Sequence, residues 1–228
     1  TLFPIFPDHS GSAIKRALNY LSFGVSVALL GPLYCRRPDV IHAIQPPVTA
    51  GLSVCLLSVL WRVPLSIEIQ DMWPENLRAT GMLRNLTALG IVDALCRFIY
   101  RRAAAIRVIS QGFRDNLLEK GVPASKIQVI SNWADTAQYR PVERSRQLAE
   151  ELGLENRFTL MYAGTIGLAQ GLEVVVEAAT LLRDDPRVQF VLVGDGLDLP
   201  KLQAMASERG LSNIRFLGRR PSAQMPEL

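Results

Sequence analysis

The sequence predicts an α/β protein made of parallel sheets in two successive units. Three observations predict it. Short apolar runs alternate with helical stretches along nearly the whole chain, the pattern of strand–helix–strand units. The 228 residues are 49% hydrophobic and evenly so, which supplies a sizeable core and excludes a disordered chain. A polar stretch at 138–157 interrupts the alternation and separates a first domain, 1–137, from a second, 158–228.

In the first domain, Leu18 to Leu33 is apolar but shorter than a bilayer-spanning helix, and Gly31-Pro32 interrupts it. It is expected to be a buried or interfacial helix, with its length favouring the buried core. Asp39 to Ala43 reads as a strand after Pro38. Val48 to Trp61 is apolar on nearly all sides and reads as a buried helix. Pro64 to Gln70 alternates with period two, as a strand does. Thr87 to Arg102 is helical, and Ala103 to Ile109 is strand-like. Ser110 is placed to cap a helix that Gly121 and Pro123 end, and Ile127 to Ile130 is a further strand. Both faces of such a parallel sheet are expected to be covered.

Residues 138–157 read as a linker with a short surface helix. Beyond it, Phe158 to Ala163 is a strand, and Thr165 to Gln170 a glycine-bounded loop. Leu172 to Arg183 is an amphipathic helix with Leu172, Val175, Val176, Ala179 and Leu182 on one face. Arg187 to Val193 is a strand ending in the tight turn Gly194-Asp195-Gly196. Pro200 opens a helix that closes at Gly210, and Asn213 to Leu217 is the last strand. The chain begins without Met and without a signal-peptide layout, and stops at Pro226-Glu227-Leu228. It is therefore expected to be part of a longer protein.

Composition narrows the function classes. Cys35, Cys55 and Cys96 are odd in number and far apart, and His9 and His42 are the two imidazoles, so neither a disulfide framework nor a metal site is expected. A reducing, cytoplasmic setting fits. Residues 1–137 hold 14 Lys and Arg against 9 Asp and Glu, whereas 138–228 hold 11 against 12. The basic half suits an anionic partner, such as a phospholipid surface, a phosphate-bearing substrate or nucleic acid, or else a solvated basic face. Nucleic acid ranks last, because no reading motif is present and aromatics make up only 7% of the chain.

Four segments carry chemistry. Tyr162-Ala163-Gly164-Thr165-Ile166-Gly167, followed by Gln170-Gly171-Leu172-Glu173, is a strand running through a glycine-rich loop into a helix. Small residues let the backbone approach a diphosphate, and a helix N-terminus offers N–H groups and partial positive charge. The dinucleotide fingerprint is absent, and an ordinary βα loop has the same look. Val191-Leu192-Val193-Gly194-Asp195-Gly196 ends a parallel strand, where ligands bind in open α/β sheets, although Asp-Gly is also a common turn. In Glu68-Ile69-Gln70-Asp71-Met72-Trp73-Pro74-Glu75, carboxylates and an aromatic follow a strand. Such a group suits a sugar held by hydrogen bonds and stacking; the alternative is a solvated loop with Trp73 in the core. Val129-Ile130-Ser131-Asn132-Trp133-Ala134-Asp135, leading to Tyr139-Arg140-Pro141, has the look of a hinge between domains.

These segments, with Arg37-Pro38-Asp39-Val40-Ile41 before them and Phe216-Leu217-Gly218 after them, form an ordered set across nearly the whole chain. Each is weak alone; in order, the set resembles the retaining glycosyltransferases of family four, and most of all their bacterial surface-polysaccharide branch (colanic acid, O-antigen and capsule). The resemblance implies a GT-B fold, two Rossmann-like domains facing a cleft, both incomplete here. It implies transfer of a hexose or N-acetylhexosamine from a nucleotide-diphosphate sugar, UDP-linked, with retention, to a glycan or polyprenyl-diphosphate-linked acceptor. It implies no cofactor and no metal, the leaving diphosphate being stabilised by cationic side chains and helix dipoles. Carried over residue by residue, Gly164, Thr165, Gln170 and Gly171 lie under the diphosphate, Gly194, Asp195 and Gly196 line the donor pocket, and Arg219 lies near the base. Gln70, Trp73 and Glu75 fall on the acceptor side, and Asp71 is the candidate for the catalytic pocket.

The chain departs from the family in places. Gln170 stands where many members have a basic residue, so the positive charge is expected from Arg219 or Arg220. Gln70-Asp71 ends a strand where many members have a His. The family's glutamate motif falls beyond Leu228 and its glycine-rich first loop before Thr1. The basic half and the apolar Leu18–Leu33 helix suit peripheral contact with an anionic membrane, at the inner face of the plasma membrane. A nucleotide-sugar epimerase of the same architecture and a non-catalytic or inactive binding fragment are the competing readings.

Overall fold

The computed structural model describes residues 3–7, 13–45, 47–143, 145–154 and 156–227; His9 and both chain ends lie outside them. The chain divides into two compact units, Thr1–Trp133 and Ala134–Leu228.

The first unit runs α1 (Ala13–Tyr34), β1 (Ile41–Gln45), α2 (Val48–Trp61), β2 (Leu65–Ile69), α3 (Glu75–Ala79), α4 (Leu86–Arg102), β3 (Ala105–Val108), α5 (Gln111–Glu119) and β4 (Ile127–Val129). Its strands are all parallel and ordered β1-β2-β3-β4, so sequence neighbours are sheet neighbours. Local chemistry starts the helices. Asn85 caps α4 by accepting from Ala88 N at 2.9 Å, and Ser110 caps α5 by accepting from Phe113 N at 3.3 Å. Strand positions Ile41, Leu65, Ile67, Ile69, Ile106, Val108 and Ile127 join one core with Cys96, Ile99 and Tyr100 of α4.

Three expectations for this unit are corrected. The sheet is not covered on both faces among the described residues: His42, Ile44 and Gln128 are exposed, and Glu68 and Arg107 share their face. Helix α1 is neither broken at Gly31-Pro32 nor buried. It continues to Tyr34, is long and apolar enough to cross a membrane by length and composition, and only 11% of its most apolar stretch is buried. Pro32 sits near the end of α1, where a lost N–H and a ring clash disturb few later hydrogen bonds. Helix α2 buries one face only, and Leu56, Val59 and Leu60 stay exposed.

The second unit runs α6 (Arg146–Leu152), β5 (Phe158–Ala163), α7 (Glu173–Leu181), β6 (Val188–Val193), α8 (Leu199–Glu208) and β7 (Ile214–Gly218), again parallel in the order β5-β6-β7. The central strand β6 alternates its side chains between two cores. Phe190 and Leu192 pack with Ile166, Val176, Ala179 and Leu202, whereas Val191 and Val193 pack with Leu152 and Leu154. The helix in the stretch expected to be a linker is thus a covering element. Ser145 caps α6, Gly153 ends it in the left-handed region at φ 61°, and Ala149 and Leu152 are buried. The exposed chain between the units spans 131–143.

Candidate functional site

A candidate site of the second unit lies at the C-terminal ends of its strands, where parallel sheets place ligands. A cavity of about 560 Å³ is lined by Gly164 and Thr165 after β5, by Val193, Gly194 and Asp195 at the end of β6, and by Arg219, Arg220, Pro221, Ser222 and Met225 after β7. The floor is a set of backbone bonds that extends the sheet past its strands. Gly164 N donates to Val193 O at 2.9 Å, Gly194 N to Gly218 O at 2.9 Å, and Ile166 N to Asp195 O at 2.9 Å. Asp198 N then donates to Ile166 O at 3.1 Å, and the fully buried Ile166 side chain anchors the loop in the core.

This close approach explains two glycines. A Cβ on Gly194 would lie 1.8 Å from Gly164 O, and one on Gly196 would lie 2.1 Å from Ile166 O. Both contacts are with backbone and cannot be relieved by a rotamer. The glycines at the end of β6 therefore serve loop against loop, a reason not anticipated from the sequence. Tyr162 Oη donates to Thr165 O at 2.8 Å and braces the β5 side of the cavity, and Asp195 Oδ1 accepts from Gly196 N at 2.8 Å.

The cavity's charge is cationic on its β7 side. Arg219 is exposed, whereas the Nε of Arg220 is buried and has no hydrogen-bond partner among the described atoms. A buried N–H without an acceptor is costly, and an anion in the cavity would supply one. Of the residues expected at the donor site, Gly164, Thr165, Gly194, Asp195 and Arg219 come together here. Gln170, Gly171 and Gly196 are not in the lining. The first turn of α7 is also outside the lining, and it carries Glu173, which Lys201 pairs at 2.6 Å. Ser222 and Met225 were not foreseen; they lie on a 3-10 turn, Ser222–Glu227, for which the sequence holds no motif beyond Pro221 before Ser222.

In the first unit, Gln70 and Asp71 follow the C-terminal end of β2. Gln70 exchanges amide hydrogen bonds with Asn132 at 3.2 and 3.0 Å, tying the end of β2 to the segment after β4. Asp71 is exposed, and its Oδ1 accepts from Asn76 Nδ2 at 3.2 Å. One expected acceptor-side residue, Trp73, is corrected. Trp73 is buried in the core, edge-on to Tyr20 with ring centroids 6.1 Å apart, and has no free face for a sugar. Glu75 opens α3 and is held by Lys120 Nζ at 2.6 Å, which also holds Asp93 at 2.8 Å. Burial alone would raise the Asp93 carboxyl, but the hydrogen bonds from Arg97 and Lys120 hold it below its ordinary value.

A second network was hidden by the period-two reading of β2. The Glu68 side chain is only 8% exposed. Gln70 and Arg107 donate to its two oxygens, and His42 Nε2 lies 3.4 Å away. The hydrogen bond from Gln70, followed by Arg107, holds the Glu68 carboxyl below the usual range against its burial. The three cysteines are free, and burial pushes the Cys55 and Cys96 thiols up to about 11.

Two parallel-sheet units of this kind, with a cationic cavity at the strand ends of the second, define an α/β protein of the GT-B type. A family profile described as "Glycosyl transferase 4-like domain" matches residues 14–133, and one described as "Glycosyl transferases group 1" matches 144–228. The chain belongs to this family of glycosyltransferases. It is 30% identical over 234 residues to the putative colanic acid biosynthesis glycosyl transferase WcaI of Escherichia coli (strain K12), covering 99% of this chain and 57% of that protein. It is 27% identical over 194 residues to the probable glycosyltransferase WbjE of Pseudomonas aeruginosa, covering 83% of this chain and 48% of that one. The chain thus spans about half the length of these relatives. Among solved structures, Anabaena Alr3699/HepE in complex with UDP is similar in fold, with a TM-score of 0.67 at 21% identity over 92% of this chain and 55% of that one.

Proposed function

We propose that the protein transfers a sugar from a nucleotide-diphosphate donor to a lipid-linked glycan, with retention of configuration, in the synthesis of a surface polysaccharide. The observation that carries the reading is the cavity at the ends of β5, β6 and β7, with Arg219 and Arg220 in its lining. In this reading the diphosphate lies against Gly164, Thr165, Gly194 and Asp195, and the two arginines supply the positive charge that Gln170 does not. The donor is UDP-linked; the UDP complexes of HepE and the family membership support that choice. The similarity to WcaI supports the polysaccharide setting. Asp71, exposed at the end of β2 beside Gln70, is the acceptor-side carboxylate proposed for the catalytic pocket. The enzyme works at the cytoplasmic face of the membrane, in peripheral contact with anionic lipid, without a resident cofactor.

Calorimetry with UDP tests the donor site. Arg220→Ala is expected to weaken UDP binding on the order of tenfold or more, the worth of a hydrogen bond to a charged group. Wild-type protein that binds neither UDP nor another nucleoside diphosphate overturns the assignment. UDP-sugar turnover without any acceptor would replace transfer with epimerisation or hydrolysis.

A further inference from the structure

The Glu68 network of the first unit is directional: it runs from a buried charge to the chain that leaves the unit. One Glu68 oxygen accepts from Arg107, and the other accepts from Gln70 Nε2. An ionised carboxylate only accepts, so it fixes which end of the Gln70 amide turns toward it, the nitrogen. The second N–H of that nitrogen then meets Asn132 Oδ1 at 3.2 Å, and the Gln70 carbonyl accepts from Asn132 Nδ2 at 3.0 Å. Both Gln70 donors are used inside the protein, and neither is left for a substrate. Arg107 also reaches the same segment directly. Its Nε and Nη2 donate to Ile130 O at 3.2 and 3.1 Å, and Nη2 to Ser131 O at 3.4 Å. Ile130 N in turn donates to Val108 O at 2.9 Å, which extends the β3–β4 ladder by one residue.

The loop after β2 is held at the same place. Gln70 N donates to Gln45 O at 3.1 Å, which ties the start of the loop to the end of β1. Farther on, Asn76 N donates to Met72 O at 2.8 Å, and Asn76 Nδ2 to Asp71 Oδ1 at 3.2 Å. Asp71 thus stands between the Gln70–Asn132 pair and the first turn of α3. Asn132 immediately precedes Trp133, the residue with which the first unit ends. Trp133 is 88% exposed, so the fixed part of the chain gives way to the exposed part within one residue.

We propose that Arg107 and Glu68 are positioning residues that lock the Gln70–Asn132 amide pair, so that the loop bearing Asp71 and the segment 130–132 form one rigid body and the chain between the units turns only from Trp133 onward. In a transferase this fixes the acceptor-side carboxylate relative to the point where the chain leaves the unit. The proposal rests on the function proposed above for the role of Asp71, whereas the lock itself involves no residue of the donor cavity. Arginine suits the position as lysine would not: one planar guanidinium serves the Glu68 carboxylate and the Ile130 carbonyl at once, which a point charge does not.

The test is amide hydrogen exchange of the purified chain, resolved by residue with NMR, with the urea midpoint and UDP binding measured on the same samples. Asn132→Ala alters an exposed side chain and should speed exchange at both Gln70 and Ile130 about tenfold, the worth of two neutral hydrogen bonds. Gln70→Ala should speed exchange at Ile130 to the same extent. The double variant should be no faster than either single one, because both lose one shared pair. Arg107→Lys keeps the charge beside Glu68 and loses the fork, so exchange at Ile130 should rise on the order of tenfold with the urea midpoint unchanged. An ion pair without the positioning role would show no change in either. Tyr139 N, which donates to Asp135 O at 2.7 Å beyond Trp133, should exchange at the wild-type rate in every variant. Effects that add in the double variant, or that stay local to the substituted residue, overturn the rigid body. Equal acceleration at Ile67 in the core, with a lowered urea midpoint, overturns the positioning role and leaves only a stabilising one. Wild-type protein that gives the expected pattern yet binds no nucleoside diphosphate keeps the lock and removes the transferase.

Discussion

The two units solve the same problem, a small parallel sheet, in different ways. The first buries one face of four strands and leaves the other open, where Glu68 sits between Gln70 and Arg107; among its helices Lys120 joins Glu75 to Asp93. The second buries both faces of its central strand and keeps its ion pairs, Lys201–Glu173 and Arg187–Asp185, at the surface. Its buried polar needs are met by amides: Gln189 donates to Leu154 O and Asn213 to Ala179 O. The contrast teaches where each unit is vulnerable. The first depends on paired charge, the second on close backbone contact.

Gly194→Val is expected to have the largest effect. The new side chain meets Gly164 O and must adopt φ 137°, so the cost should exceed ~4 kcal/mol and abolish UDP binding. Trp61, Trp73 and Trp133 all lie in the first unit, so the unfolding transition seen by tryptophan fluorescence should persist. A variant that still binds UDP would break the contrast. Lys120→Met comes next. It strands two carboxylates, and since Glu75 is 42% exposed the cost should be ~2–4 kcal/mol, read by the tryptophan transition with UDP binding intact.

Acid sharpens the same contrast. Glu68 and Asp93 are held below their ordinary values of 4.5 and 3.8, so their contribution is fully present above those values and lost as pH falls through the lower folded ones. The tryptophan-monitored midpoint in urea should therefore drop on acidification below pH 4.5, and Glu68→Gln should flatten that drop. An unchanged slope in the variant would remove Glu68 from the account. The smallest effect is expected for Ser145→Ala, which removes the α6 cap and should destabilise the second unit by ~1 kcal/mol. No effect on that unit would mean that α6 is a passive linker after all.

Much of this was legible locally. Ser110 caps its helix as its position before an apolar-periodic run predicts, and Gly164, Thr165, Gly194, Asp195 and Arg219 meet at strand ends in one cavity. What stayed hidden has one cause. Glu68 stands in an alternating strand, and Arg107, 39 residues away, joins Gln70 in making its burial tolerable. Trp73 has the same sequence neighbours whether it binds a sugar or fills a core; Tyr20 decides it.

By itself, then, the sequence determined the alternation of strands and helices, the caps, the glycine turns and the family, because these depend on residues within a turn or a strand of one another. The tertiary structure alone decided which glycines meet which carbonyls and which carboxylates are paired. Those outcomes depend on partners brought from tens of residues away, and burial is a property of the partners as much as of the residue.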